Sequence, residues 1–517
     1  NQITGSKNQL TEIAVNYDFK LPTVFAGIAG VLYSYSQYDV QSSKFGFNYL
    51  PNDSMSFGME YHIRKDLHGQ YARISYDNLL KVNDIQQENI DYLTNVIPYN
   101  GPIHELDAYY NGKIGKISLT FDGSYFHKKT DNVTNTIENG IDIDRSINSH
   151  KYSKNKYIAG KLLAEYQKSE ELTFNIGTEY YNSNINQNYF NQDGIIASTE
   201  NEIKESNIAT FASIDYTLGN FAISGGLRYE HITNKVFDDG LMNTYESRTY
   251  DIFFPNVDLS YSTDVFNIGL SYGITSSKPT YSQLSNIVAY DSQYLYEGGN
   301  PALKMPKVHS IELSAMYKFI NASLTYEIDN NPIVQWGKLY DDKSDIILLT
   351  NINIPKEKIF TFALSAQPVI SIWHPTFEFD FQKQYIDAQG MSFNFNKPIV
   401  QLVFNNIFVL RPDIMIGANY LFHTSGADGY SFMGNYQEFT LSVTKTFFKR
   451  RVYTKLQIND VFRSTKTTNE LHTKYYNIKS TIFPNCRNII LTLGYNFNRT
   501  HKRYAGNGAG MEEKSRL

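Results

Sequence analysis

The chain has 517 residues, a formal net charge of −5 and a single cysteine, Cys486. So weak a charge gives no ground for binding nucleic acid, and one cysteine cannot form an internal disulfide. Aromatics make up 15% (41 Tyr, 33 Phe, 2 Trp), which suits a β-rich chain, and no apolar run approaches the roughly 18 residues of a membrane helix.

The longest greasy stretch, Val24 to Tyr33, is interrupted by Gly27 and Gly30. From there on the pattern has period two. Ile117, Leu119, Phe121 and Tyr125 oppose Ser118, Thr120, Asp122 and Ser124. Leu172, Phe174, Ile176 and Tyr180 oppose Thr173, Asn175, Gly177 and Glu179. Phe266, Ile268, Leu270, Tyr272 and Ile274 oppose Asn267, Gly269, Ser271, Gly273 and Thr275. The same alternation runs through Ile311 to Phe319, Ala322 to Asp329, Phe377 to Gln382, Phe439 to Phe447 and Ile489 to Asn498. A strand sends successive side chains to opposite faces, so each segment has one greasy and one wet face.

So many half-greasy strands need a cover. A soluble sandwich array or propeller would provide a second layer, but it predicts apolar residues on both faces of some strands and a domain or blade repeat. Neither is seen. A closed barrel in a bilayer needs no second layer. The fold expected is therefore all-β: a transmembrane antiparallel β-barrel. The polar mean hydropathy, −0.40, agrees, because alternating faces average out. Acids such as Asp122, Glu179, Glu312, Glu327 and Asp380 keep to the wet face. Lys445 falls on the greasy side of its strand but near a turn, where its head can snorkel.

Connections alternate in length. Pro51 to Asp53, Gly112 to Gly115, Gly219-Asn220, Thr263-Asp264 and Arg411 to Asp413 read as tight turns. Long polar stretches separate them: Lys65 to Pro102, Lys129 to Lys154, Ser183 to Ser206, Thr233 to Arg248, Ser277 to Val308 and Arg463 to Arg487. Short periplasmic turns and long extracellular loops are the outer-membrane arrangement. At about ten residues per crossing the length allows about 22 strands. The barrel is expected over 1–498, with a periplasmic C-terminal tail over 499–517. The start at Asn1, without Met or a signal peptide, suggests a processed or trimmed beginning.

Several segments resemble a known family. Tyr250 to Tyr272, followed by Ser277-Lys278-Pro279-Thr280-Tyr281-Ser282-Gln283-Leu284, looks like the central region of the outer-membrane β-barrel family of TonB-dependent receptors. The sharpest match is Tyr296-Glu297-Gly298-Gly299-Asn300-Pro301-Ala302-Leu303-Lys304, then His309 and Glu312-Leu313. Met305 stands where the family has proline, and Pro306 comes one later. The end, Gly506 to Leu517, is similar to the polar tail of such proteins. The likeness spans most of the chain as a pattern and is specific only at these segments. It implies a barrel of 22 strands in the bacterial outer membrane. It also implies a receptor whose extracellular loops bind a ligand and whose plug, engaging the TonB system, gates the lumen. No plug pattern precedes the barrel here, so the expectation is either a plug encoded upstream or a passive channel or surface-binding barrel.

Tyr281, Tyr290, Tyr294 and Tyr296 crowd one long loop. Aromatic faces stack on sugars and flat ligands, which makes these four the candidate ligand-binding residues, although loop packing is the favoured role. Asn300-Pro301 reads first as a device returning the loop to the rim. Glu138, Asp142, Asp144 and His150 lack the spacing of a calcium loop. Asp341, Asp342 and Asp345 read as a solvated hairpin tip. Tyr109, Tyr110, Tyr125, Tyr180 and Tyr181 read as interface anchors. Arg228, Glu230, Glu312, Lys318 and Glu327 are candidates to line a pore or grip a plug. No catalytic elbow, zinc-protease motif or phosphate loop is present, so no enzyme, metal or cofactor is expected. The partners expected are outer-membrane lipids and the TonB system, with a surface lipoprotein or another outer-membrane protein as a further candidate without a sequence signature.

Overall fold

Side chains that a soluble protein would bury face outward here. On the strand Leu172–Asn191, Ile176 is 64% exposed while its inward neighbours Tyr181 and Ser183 are at 1% and 0%. The strand Ile117–Asn139 repeats this, with Phe121 and Tyr125 outside and Asp122 and Ser124 buried. Leu270, Leu313, Leu324 and Leu491 are outward in the same way. An apolar exterior around a polar interior is stable only where hydrocarbon replaces water outside.

The computed structural model describes residues 2–20, 25–82, 85–140, 144–341, 345–449, 451–484, 487–495, 506 and 509–516. Cys486, Asp142, Asp342 and 496–505 lie outside these. A single antiparallel sheet of 25 strands makes the wall, with sequential strands paired along most of it. Some of these strands are two halves of one crossing. Ile85–Pro98 and Ile103–Ile114 both pair with Met55–Val82 on one side and Ile117–Asn139 on the other. Merging such halves brings the number of crossings close to the expected 22. The first strand also pairs with the upper part of the last crossing. Asn488–Tyr495 pairs with Val452–Asn459, while Tyr476–Pro484, just upstream, pairs with the first strand, Gln2–Lys20.

The short turns fall where expected. Aromatics on adjoining strand ends form a belt beside them: Tyr166 with Phe174 (6.4 Å between centroids), Phe221 with Tyr261 (4.6 Å) and Tyr261 with Phe266 (5.7 Å). Lys445 sits near such a turn, its ammonium 5.2 Å from the Phe447 ring. Lys318 is not a lumen residue. It occupies a left-handed turn position (φ 52°) and lies over Tyr317.

The opposite rim differs from a set of irregular loops. Most of the long polar stretches are strands that continue past the apolar band as tall hairpins. Ile117–Asn139 and Asp144–Gln167 stay in register up to Asn139↔Asp144, and Phe221–Asp238 pairs with Leu241–Ser262 across the two-residue turn Asp239-Gly240. Polarity marks exposure to water, not loss of strand, because cross-strand hydrogen bonds need no apolar face.

Candidate functional site at the barrel mouth

Two segments turn inward at the tall rim instead of continuing the wall. They lie between Phe266–Thr275 and Lys307–Tyr317, and between Ile320–Asn330 and Lys356–Ala366. Together they make a separate four-stranded sheet of Val288–Ser292, Leu295–Gly298, Ile347–Asn353 and Ile333–Leu339. The two segments join where Leu295–Gly298 pairs in parallel with Ile347–Asn353. The GNP motif fastens this join. Asn300 Nδ2 donates to Asn351 O (2.8 Å), Thr350 Oγ1 donates to Gly299 O (3.1 Å) and Asn300 N donates to Gln283 O (2.6 Å). Gly299 must be glycine: a Cβ there would lie 2.3 Å from Ser285 O and 2.5 Å from Ser282 O.

The inserted sheet packs against strands on several sides of the ring. Leu295, Val334, Ile347 and Leu349 share a core with Phe19, Tyr92, Ile386 and Tyr476 of four different wall strands. On another side Tyr281, Leu284 and Leu303 pack on Ile185 and Ile203. The mouth is therefore spanned by the chain's own loops.

The four candidate tyrosines are all part of this construction. Tyr281 is buried, its hydroxyl 2.5 Å from Ser183 Oγ and 3.4 Å from Glu205 Oε1. Tyr290 donates to Glu138 Oε1 (2.5 Å) and accepts from Arg145 Nη2 (2.7 Å). Burial, then the Glu138 charge, push the Tyr290 phenol above its ordinary pKa. Tyr296 is buried between the rings of Tyr290 (5.6 Å) and Tyr340 (5.1 Å). Tyr294 packs on the opposite side, its ring 5.8 Å from Phe19 on the first wall strand. Glu138, considered above for calcium, is taken up by Arg145 (2.5 Å) and Tyr290.

Between the sheet and the wall lies a polar cavity of about 240 Å³. Gln187 and Lys151 project into it from the wall; Gln283, Glu297, Gln335 and Asn351 come from the inserted segments. Lys151 and Glu297 line it from opposite sides; burial lowers the ammonium's pKa and raises the carboxyl's, and each one's charge partly offsets the other's shift. No ion pair joins them among the described contacts. Sequence reading missed these residues because amides and a lone Lys in polar stretches carry no motif. The inserted strands themselves were legible only as the GNP signal and a tyrosine cluster.

Below the mouth the inner wall carries a charged network. Arg228 donates to Glu230 (2.6 Å) and to Glu179 (3.0 Å), and Lys278 pairs with Glu230 at 3.4 Å. Nearer the periplasmic rim a cavity of about 420 Å³ opens on Ser314, Ser323, Ser365, Glu378 and Asp380.

A profile of the outer membrane protein beta-barrel family matches residues 112–495. The chain belongs to the outer membrane protein β-barrel family. Solved structures of similar fold include the copper transporter OprC (TM-score 0.60, 10% identity, 93% of this chain and 80% of that one). Others are the siderophore receptor PirA from Pseudomonas aeruginosa (0.52, 13%, 92% and 81%) and the FrpB iron transporter from Neisseria meningitidis (0.52, 9%, 92% and 82%). No curated protein matches the chain. With the outward apolar band, the family match places this chain in the bacterial outer membrane, and the solved structures share its barrel fold.

Proposed function

We propose that this β-barrel protein is a ligand-gated importer of TonB-dependent type, taking its ligand at the mouth and passing it through a lumen that a plug controls. The observation that carries this is the mouth sheet. A passive pore has no use for two inserted segments sealed by a core that reaches four wall strands. The 240 Å³ cavity beside that sheet, rich in amides, is suited to a small polar ligand. Tyr281 and Tyr296 are buried and hold the sheet in place, while Tyr290 and Tyr294 are only partly buried and are the two of the four with surface to offer a ligand. The 420 Å³ recess of small and acidic side chains lower down gives a plug a surface to rest on. Coupling to the TonB system would act through that plug.

Planar-bilayer recording tests the reading. A closed mouth predicts no large steady current from the intact protein, and deletion of 333–353 raises the current. A large steady conductance of the unmodified protein means a passive channel instead. A coding region ahead of residue 1 that specifies no plug would remove energy coupling.

A further inference from the structure

Residues 509–516 lie inside the barrel. The wall strand Asn488–Tyr495 places Tyr495 opposite Val452, beside a short turn at the periplasmic rim. Yet Ala509, Gly510, Lys514 and Arg516 all bind inward, higher-lying groups. Ala509 N donates to Ser124 Oγ (3.2 Å) and Gly510 N donates to Glu179 Oε1 (3.0 Å). Tyr157 OH donates to Gly510 O (2.8 Å). Gly510 has φ +58°, and a Cβ there would strike the Tyr157 hydroxyl, so only glycine fits. Lys514 pairs with Glu105.

Arg516 is the key contact, because its one buried guanidinium joins three parts of the chain. Nη1 and Nη2 donate to Glu205 Oε1 (2.5 Å) and Oε2 (3.1 Å) on the wall, and Nε donates to Pro279 O (2.9 Å) on the mouth segment. The group also stacks 4.4 Å from the Tyr281 ring. Glu205 in turn accepts from Tyr181 (2.6 Å). Among the described residues, the apolar cluster the tail enters is Ala509 with Tyr157, Ala159 and Tyr181. None of these contacts is a ladder hydrogen bond of the wall, so the tail can leave without unpairing a wall strand.

We propose that residues 509–516 form a latch on the inner wall that, through Arg516, locks the base of the mouth segment at Pro279–Tyr281. The mouth thereby becomes sensitive to events on the periplasmic side: drawing the tail out releases the loop that Arg516 holds. This inference rests on the tail contacts alone and stands whether or not the barrel imports a ligand.

The test is a nitroxide at Ser282→Cys in a Cys486→Ser background of the full-length protein, reconstituted in liposomes. In the otherwise unmodified chain the label is immobile. Arg516→Ala and deletion of 506–517 each shift the spectrum to a mobile component, while heat-modifiable gel migration confirms an intact barrel. A synthetic 506–517 peptide restores the immobile spectrum of the deletion protein. An immobile label in folded Arg516→Ala overturns the latch, whether or not the deletion protein folds, and so does failure of the peptide to restore the deletion protein's spectrum.

Discussion

Tyr180 and Tyr181 are neighbours in sequence and opposites in the molecule. Tyr180 is 48% exposed on the apolar band; Tyr181 is 1% exposed in the lumen, its hydroxyl on Glu205. Tyr110 and Tyr109 split the same way, at 36% and 3%. Two regions of the barrel thus use one residue type for different ends. On the band, the ring anchors in the lipid interface and its surroundings are interchangeable. At the mouth and inner wall, Tyr181, Tyr281 and Tyr290 each set a hydroxyl on a fixed partner, so losing one leaves a gap and an unsatisfied polar group.

That contrast orders the expected effects of mutation. Tyr181→Ala should cost roughly 3–5 kcal/mol, as for other large buried aromatics, whereas Tyr180→Ala costs much less; urea unfolding from liposomes measures both. Ile176→Arg, at 64% exposure near the middle of the band, should cost about 2–4 kcal/mol in the same assay. Asn175→Arg, one residue away on the wet face near Asp215, should be close to neutral. Equal costs for 175 and 176 would break the two-faced picture. Gly299→Ala pushes a methyl into three carbonyl oxygens and should destabilise the mouth by about 1–3 kcal/mol, read as faster proteolysis of 276–306 with the wall intact. Tyr290→Phe is the mildest, about 1 kcal/mol, because Arg145 still neutralises Glu138.

How far the sequence could be read follows the same division. The wall was legible because its rule is local: a two-residue period fixes which side chains meet lipid. The outward placement of Ile117, Phe174, Leu270 and Ile489 follows from that rule directly. Reading Tyr109 and Tyr181 as interface anchors neglected it, since adjacent residues cannot both face outward. The mouth obeys no local rule. Leu295 meets Phe19 and Tyr476 only because distant segments fold into one lumen, and neither parity nor motif reports such contacts. Glycine and proline at 298–301 announced a special backbone there, but not that it ties two inserted segments together. Arg516 was visible only as a charge in a polar tail; its partner Glu205 lies 311 positions away.

The barrel requires hydrocarbon outside and a polar lumen inside. Its most direct test is a nitroxide scan along 172–181 in liposomes, with oxygen and a water-soluble nickel chelate as relaxing agents. Labels at 174, 176 and 180 should be relaxed strongly by oxygen and weakly by nickel, while 175, 177 and 179 show the reverse or protection from both. Ready access of nickel to 174, 176 and 180 would mean that water covers the apolar face, and the barrel would have to be abandoned.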